Sequence, residues 1–168
     1  MTTLEKIISE HLFFKGLKNE HISSLVKCAS FSVFDKDKYI FSAQEEAKYF
    51  YLILEGSVSL QIFSHERGTV RLEAIEEGQF LGWSWLFPPY KWQFDAKTLE
   101  HTRVIIFDAQ ALKIVMAQDW ELGFKIHKLF TQLIIQRLQT LRYKFLDVLE
   151  KYPQIEFEEI SIINITSN

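Results

Sequence analysis

Gly78-Gln79-Phe80-Leu81-Gly82-Trp83-Ser84-Trp85-Leu86-Phe87-Pro88-Pro89-Tyr90-Lys91-Trp92-Gln93-Phe94-Asp95-Ala96 is the stretch on which the reading of this chain turns. Two glycines four apart, followed by a short segment able to form a helix, have the frame of a turn that cradles an anion. Glycine serves such a turn because it tolerates positive φ and, lacking a side chain, lets backbone N–H groups approach the anion. Here aromatic rings stand where the turn needs charge. The stretch therefore predicts a kind of site and, at the same time, a departure from that site's ordinary ligand chemistry.

Outward from this turn the chain is a succession of short aromatic and β-branched runs. Strands are predicted near Phe31–Phe34, Tyr39–Ser42, Tyr49–Leu54, Ser57–Phe63, Val70–Ile75, Phe80–Leu81, Phe94–Leu99 and Arg103–Phe107. Glu55-Gly56 and His65-Glu66-Arg67-Gly68 mark turns between paired runs. Eight short strands in about eighty residues predict a jelly roll (a double-stranded β-helix) or a barrel rather than an open sheet. The expected class is mainly β with flanking helices.

Before the strands, Leu4, Ile7, Ile8, Leu12 and Phe13 keep helical spacing, with Gly16 as a C-cap. Asn19 is read as the cap of a second helix bearing Ile22, Leu25 and Val26 on one face. After the strands, Asp108 reads as the N-cap of a helix over Ala109–Gln118. From Asp119 onward Leu122, Ile126, Leu129 or Phe130, Leu133, Ile134, Leu138, Leu141, Phe145 and Val148 or Leu149 recur at three- and four-residue steps until Tyr152-Pro153. That predicts a helix roughly 45 Å long, more than one small barrel can cover. A second copy is the simplest cover for the surplus stripe, so a homodimer through residues 119–151 is expected; the alternative is a far end folded back onto its own chain. Residues 1–152 are read as one domain. Residues 153–168 are read as a tail, whose alternating Ile155, Phe157, Ile160 and Ile162 fit a strand.

At 168 residues the chain supports one well-buried core. Hydrophobic residues at 48% with 24% charged are globular proportions. An aromatic content of 15% favours a sheet-rich body with a large core. A net charge of −3 argues against a dedicated nucleic-acid binder, which carries a basic surplus. Cys28 is the single cysteine, so neither an internal disulfide nor a cysteine-ligated cluster can form, and its setting beside Val26 and Ala29 reads as a buried small hydrophobe. The start lacks a signal-peptide core and no apolar run reaches membrane-spanning length, so a cytoplasmic protein without a membrane partner is expected. The histidines at 11, 21, 65, 101 and 127 form no i,i+4 pair, and no metal site is expected. Glu45-Glu46, Glu76-Glu77 and Glu158-Glu159 read as solvated turns, because nothing places them around a reacting bond. No catalytic residue is assigned, and the chain is read as not an enzyme.

The order of helices, an eight-stranded roll with a glycine turn, and a long helix resembles the cyclic nucleotide-binding domain of the catabolite activator (Crp/Fnr-like) superfamily. Tyr51-Leu52-Ile53-Leu54-Glu55-Gly56-Ser57-Val58 looks like that family's strand–Gly–strand hairpin, and Gly78-Gln79-Phe80-Leu81-Gly82 like the opening of its phosphate-binding cassette. Phe13-Phe14-Lys15-Gly16-Leu17 resembles its first segment, and Arg137-Leu138-Gln139 a short signature on its long helix. The resemblance runs from Leu4 to Tyr143. It implies a regulatory or sensor domain in which cassette occupancy repositions the long helix.

The departures bear on the ligand. Family members that bind nucleotide follow the second cassette Gly with a Glu for the ribose hydroxyl; here Trp83 stands there. Their phosphate-pairing Arg falls on Trp92 or Phe94, and neither makes a charge-assisted contact. The long-helix positions that meet the base are Leu141 and Arg142, and a glycine usual twelve residues before Gly56 is Gln44. Losing the Arg alone removes a contact worth about 1.5–3 kcal/mol. Cyclic AMP is therefore disfavoured, and a small anionic or aromatic effector is expected instead. Its candidate contacts are Gly82 for backbone approach, Trp83, Ser84, Trp85, Trp92 and Phe94 for the walls, and Lys91 for charge. Ser84 is read either as an anion donor in the first turn of the cassette helix or as that helix's N-cap. Two alternatives stand beside this reading: a ligand-free homodimeric interaction module whose cassette is filled by its own side chains, and a cupin-type metal enzyme. Fifteen residues follow Pro153, fewer than the family's helix-turn-helix domain needs, so no direct DNA binding is expected.

Overall fold

The computed structural model describes residues 2–153, and the chain divides into two compact units after Phe130. The first unit opens with α1 (Thr3–Glu10). A capping box starts it: Thr2 accepts the Glu5 N–H while Glu5 accepts the Thr2 N–H, which satisfies donors that a helix start leaves without partners. A single 3-10 turn, Leu12–Phe14, leads to α2 (Asn19–Lys27). Two local expectations are corrected. Asn19 is the first residue inside α2, and Lys18 holds the cap position without a side-chain capping hydrogen bond. Gly16, with φ of 92°, lies beyond the 3-10 turn, while α1 is closed by His11.

Eight strands follow: β1 (Ala29–Phe34), β2 (Tyr39–Phe41), β3 (Tyr49–Glu55), β4 (Val58–Ser64), β5 (Gly68–Ile75), β6 (Phe80–Leu81), β7 (Asp95–Thr98) and β8 (Thr102–Asp108). They form two four-stranded antiparallel sheets, in the orders β1-β8-β3-β6 and β2-β7-β4-β5. Those crossovers are a jelly roll, one of the two forms that the strand count predicts.

Register explains why β3 reads as an unbroken apolar run. It is an inner strand, and Phe50, Tyr51, Leu52 and Ile53 are all buried, so both of its faces are covered. Phe50 lies opposite Phe107 of β8 with the rings stacked at 4.5 Å and 2°. On this face Phe14, Phe80, Trp85 and Phe130 complete a fully buried aromatic cluster. Tyr51 and Ile53, alternating with them, face the other way. The edge strand β5, by contrast, is exposed or half-buried except at Ile75.

Asp108 caps α3 (Ala109–Gln118) by accepting the Ala111 N–H at 2.9 Å, and Asp119 does the same for α4 (Trp120–Lys151) with the Leu122 N–H at 3.0 Å. A Cβ on Gly123 would stand 3.0 Å from the Met116 carbonyl oxygen, so a glycine there permits the tight α3–α4 turn. Polar ties join the start of α2 to the start of α4. Lys18 and Lys125 flank Glu121 at 2.6 and 3.0 Å and hold its carboxyl down to about 2. Buried His21 meets Asp119 at 3.4 Å.

The expected apolar stripe of the long helix divides in two. Leu122, Ile126 and Phe130 are fully buried within the first unit. In the second unit residues 131–151 are helical, and Leu138, Leu141, Phe145 and Val148 are exposed. The tail strand expected around Ile155–Ile162 lies outside the described residues. Among the described residues no helix is long and apolar enough to cross a membrane, and no group of three or more His, Cys, Asp or Glu could hold a metal ion.

Candidate functional site

The glycine turn is built as its sequence implies. Gly78 and Gly82 have φ of 76° and 88°, the left-handed region that a side chain disfavours. The Gly78 N–H donates to the Ile53 carbonyl at 2.9 Å, and the Ile53 N–H donates to that of Gln79 at 3.0 Å. The turn is thereby laced to β3 before β6 pairs with the same strand. His11 braces it from the helical side. Its Nε2 meets the Gly78 carbonyl at 3.0 Å while Nδ1 accepts the Phe13 N–H at 3.2 Å, a pairing that requires the neutral ring protonated on Nε2. Burial holds the His11 pKa below its ordinary value, opposed by the hydrogen bond to Gly78.

Beyond Gly82 the expected short helix is absent, which corrects the sequence reading. Residues 83–90 form turns, with one hydrogen bond from the Leu86 N–H to the Trp83 carbonyl at 3.0 Å and another from Tyr90 to Phe87 at 3.0 Å. Pro88 and Pro89 have no N–H to donate, so no helical ladder can run through them. Without a helix there is neither a row of N–H donors nor a dipole aimed at an anion. Ser84 consequently occupies neither of the helical roles assigned to it.

The space over Gly82 belongs to Trp92. A Cβ on Gly82 would fall 2.7 Å from Cη2 and Cζ3 of the indole, so ring and backbone are already in contact. The indole is almost wholly buried and stacks on Phe41 at 3.8 Å and 10°. Its backbone is clamped in place: the Trp92 N–H donates to Glu45 and the Gln44 N–H donates to Trp92, both at 2.9 Å. A third bond runs from the Ala47 N–H to Tyr90 at 2.8 Å. Gln44 makes its bond from φ of 71°, so the backbone shape that suits the glycine usual there survives without it.

What remains is a cleft of about 20 Å³, room for about one water. Phe41, Leu60, Leu81 and Phe94 supply apolar lining, Ser84 and Gln93 the polar groups, and no lining residue is charged. Of the residues singled out in the sequence, Gly82, Trp83, Ser84, Trp92 and Phe94 meet at this cleft. Trp85 and Lys91 are placed elsewhere. Trp85 is turned into the aromatic cluster, stacked on Phe50 at 5.1 Å and edge-on to Phe130 at 5.3 Å. Lys91 is exposed and bridges to Glu46 through its backbone. Sequence reasoning missed Phe41, which the fold brings from fifty residues away in the chain, and Lys113 of α3. The Lys113 Nζ sits 3.9 Å from the centroid of the Tyr90 ring, a cation–π contact that no local pattern announces.

Comparison with known proteins agrees with this architecture. The family model described as the cyclic nucleotide-binding domain matches residues 31–119. Three solved structures share the fold at low identity. A candidate cyclic nucleotide-binding protein of Geobacter metallireducens is 22% identical with a TM-score of 0.72, over 82% of this chain and 99% of that one. A cyclic nucleotide-binding domain of Methylobacillus flagellatus is 19% identical with a TM-score of 0.66, over 94% and 85%. The catabolite activator protein of Thermus thermophilus is 19% identical with a TM-score of 0.63, over 82% of this chain and 62% of that one. No curated protein matches the sequence. The family match takes in more than half of the chain and spans every strand that builds the cassette, and on that ground this chain belongs to the family of cyclic nucleotide-binding domains.

Proposed function

We propose that this chain is a regulatory domain of its family that works without a cyclic nucleotide: its cassette is closed by its own Trp92, and it acts as a homodimeric interaction module through α4. Of the readings the sequence leaves open, this is the one whose cassette is filled by the chain's own side chains. The observation that carries it is the indole seated against Gly82, with about 20 Å³ left beside it and no charged group in the lining. A ribose phosphate needs a cation and a polar partner for its hydroxyls, and a buried anion without them is costly. Binding, not catalysis, is the chemistry such a site offers.

The dimer rests on the second unit. Leu138, Leu141, Phe145 and Val148 recur at steps of three and four, the seam of a coiled coil, and Leu138 and Leu141 are 56% and 62% exposed.

Thermal denaturation with cyclic AMP and cyclic GMP tests the closed cassette. A nucleotide at a hundred times its dissociation constant adds about 2.7 kcal/mol, or roughly 5–10 °C for a chain of this size. No shift is expected at millimolar nucleotide; a saturable shift overturns the reading.

A further inference from the structure

We infer that the segment Phe87–Trp92 is a displaceable plug, latched by Lys113, and that the slot beneath it is shaped for a flat, uncharged heteroaromatic ring. The inference rests on the closed-cassette reading and adds to it a way to open and a class of ligand.

Four observations converge on the plug. The segment carries no helix or strand, and its end is held to residues 44–47 by three backbone hydrogen bonds. Tyr90 is held at φ of 56°, a conformation that a bulky side chain adopts only when its surroundings impose it. The surroundings here include the Lys113 ammonium 3.9 Å from the ring. Finally, what Trp92 sets against Gly82 is only the outer edge of its ring, Cη2 and Cζ3.

The slot's chemistry follows from what fills it now. An indole lies flat on Phe41 at 3.8 Å, so a replacement must be planar and about two fused rings in size. Phe41, Leu60, Leu81 and Phe94 offer nothing to a charge, while Ser84 and Gln93 can serve one polar edge. An uncharged heteroaromatic meets these demands, and an anionic one does not.

The full chain labelled with 5-fluorotryptophan reports on the plug directly, since it has four tryptophans and Trp92→Phe identifies the signal. Exchange between a closed and a minor open state is expected at Trp92, measured by fluorine saturation transfer. Lys113→Gln removes the latch and is expected to raise the open population roughly two- to fivefold. In parallel, Trp92→Ala is expected to bind indole saturably and to ignore indole-3-carboxylate. A static Trp92 signal in both the native chain and Lys113→Gln overturns the plug, and that arm needs no cavity variant to fold. Equal binding of carboxylate and indole overturns the ligand class. Cyclic AMP moving the Trp92 signal saturably overturns instead the closed-cassette reading on which both rest.

Discussion

The contact between Gly82 and Trp92 makes a double-mutant cycle decisive. In Gly82→Ala the new Cβ meets two indole carbons at 2.7 Å while the backbone stays at φ of 88°. Left-handed strain costs about 1–2 kcal/mol and overpacking adds about 1–3 kcal/mol, so the single substitution should cost about 2–5 kcal/mol. Trp92→Ala alone removes a buried ring and should cost about 3–5 kcal/mol. With Trp92 already shortened, the nearest remaining neighbour of that Cβ is the Tyr49 carbonyl oxygen at 3.7 Å, an ordinary contact. Only the backbone strain then survives. Gly82→Ala should therefore cost about 1–3 kcal/mol less in the Trp92→Ala background than in the native chain. Urea unfolding followed by circular dichroism measures all four corners, with an unchanged slope as the check that the compared states are the same. Costs that agree to within about 0.5 kcal/mol in the two backgrounds would be additive, and the indole would not be what occupies the glycine cradle.

Other expectations test the surroundings. The Trp85 Nε1–H is buried with no acceptor among the described residues, so Trp85→Phe removes an unsatisfied donor worth about 1–3 kcal/mol along with some packing; the variant should unfold in urea within about 1 kcal/mol of the native chain, whereas Trp85→Ala should lose about 3–5 kcal/mol. His11 is held neutral in the folded state, its pKa lowered by burial from 6.5. The unfolded chain then takes up the proton first, so stability should fall as pH drops through 6.5 and go on falling until the folded-state pKa is passed. A pH series of melts should show this component vanish in His11→Asn, and an unaltered profile would contradict the neutral pairing with Gly78 and Phe13. Leu141→Glu places a charge on the exposed seam of α4; light scattering should give a mass near twice 19.9 kDa for the native chain and 19.9 kDa for the variant. A native mass of 19.9 kDa at high concentration would remove the dimer.

The fold was legible because its signals are local. Each of the eight strands is a short β-prone run between turn residues, and each was located to within a few residues of its observed bounds. Asp108 announces α3 by the chemistry of its cap, and the apolar spacing from Asp119 onward announces α4. The misread cap at Asn19 shows the limit of that signal, since a residue able to cap is equally able to stand one place inside the helix. The cassette helix failed for a related reason: two prolines and five bulky rings in residues 83–92 outweigh the frame set by the glycines.

The candidate site was legible in its parts and not in its state. From the residues themselves came the strand-rich roll, the left-handed glycine turn and the surplus apolar length of the final helix, each a property of residues close together in the chain; the family resemblance added that Trp83 and Trp92 or Phe94 stand where a carboxylate and a guanidinium would read a sugar phosphate. Only the tertiary structure decided that Trp92 lies on Phe41 and against Gly82, that Trp85 turns into the aromatic cluster, and that Lys113 reaches Tyr90. The physical reason is that indoles carry almost the same local preferences whether they line an open pocket or fill it. Which of the two occurs depends on close packing between segments far apart in sequence, and that packing is settled when the two sheets meet.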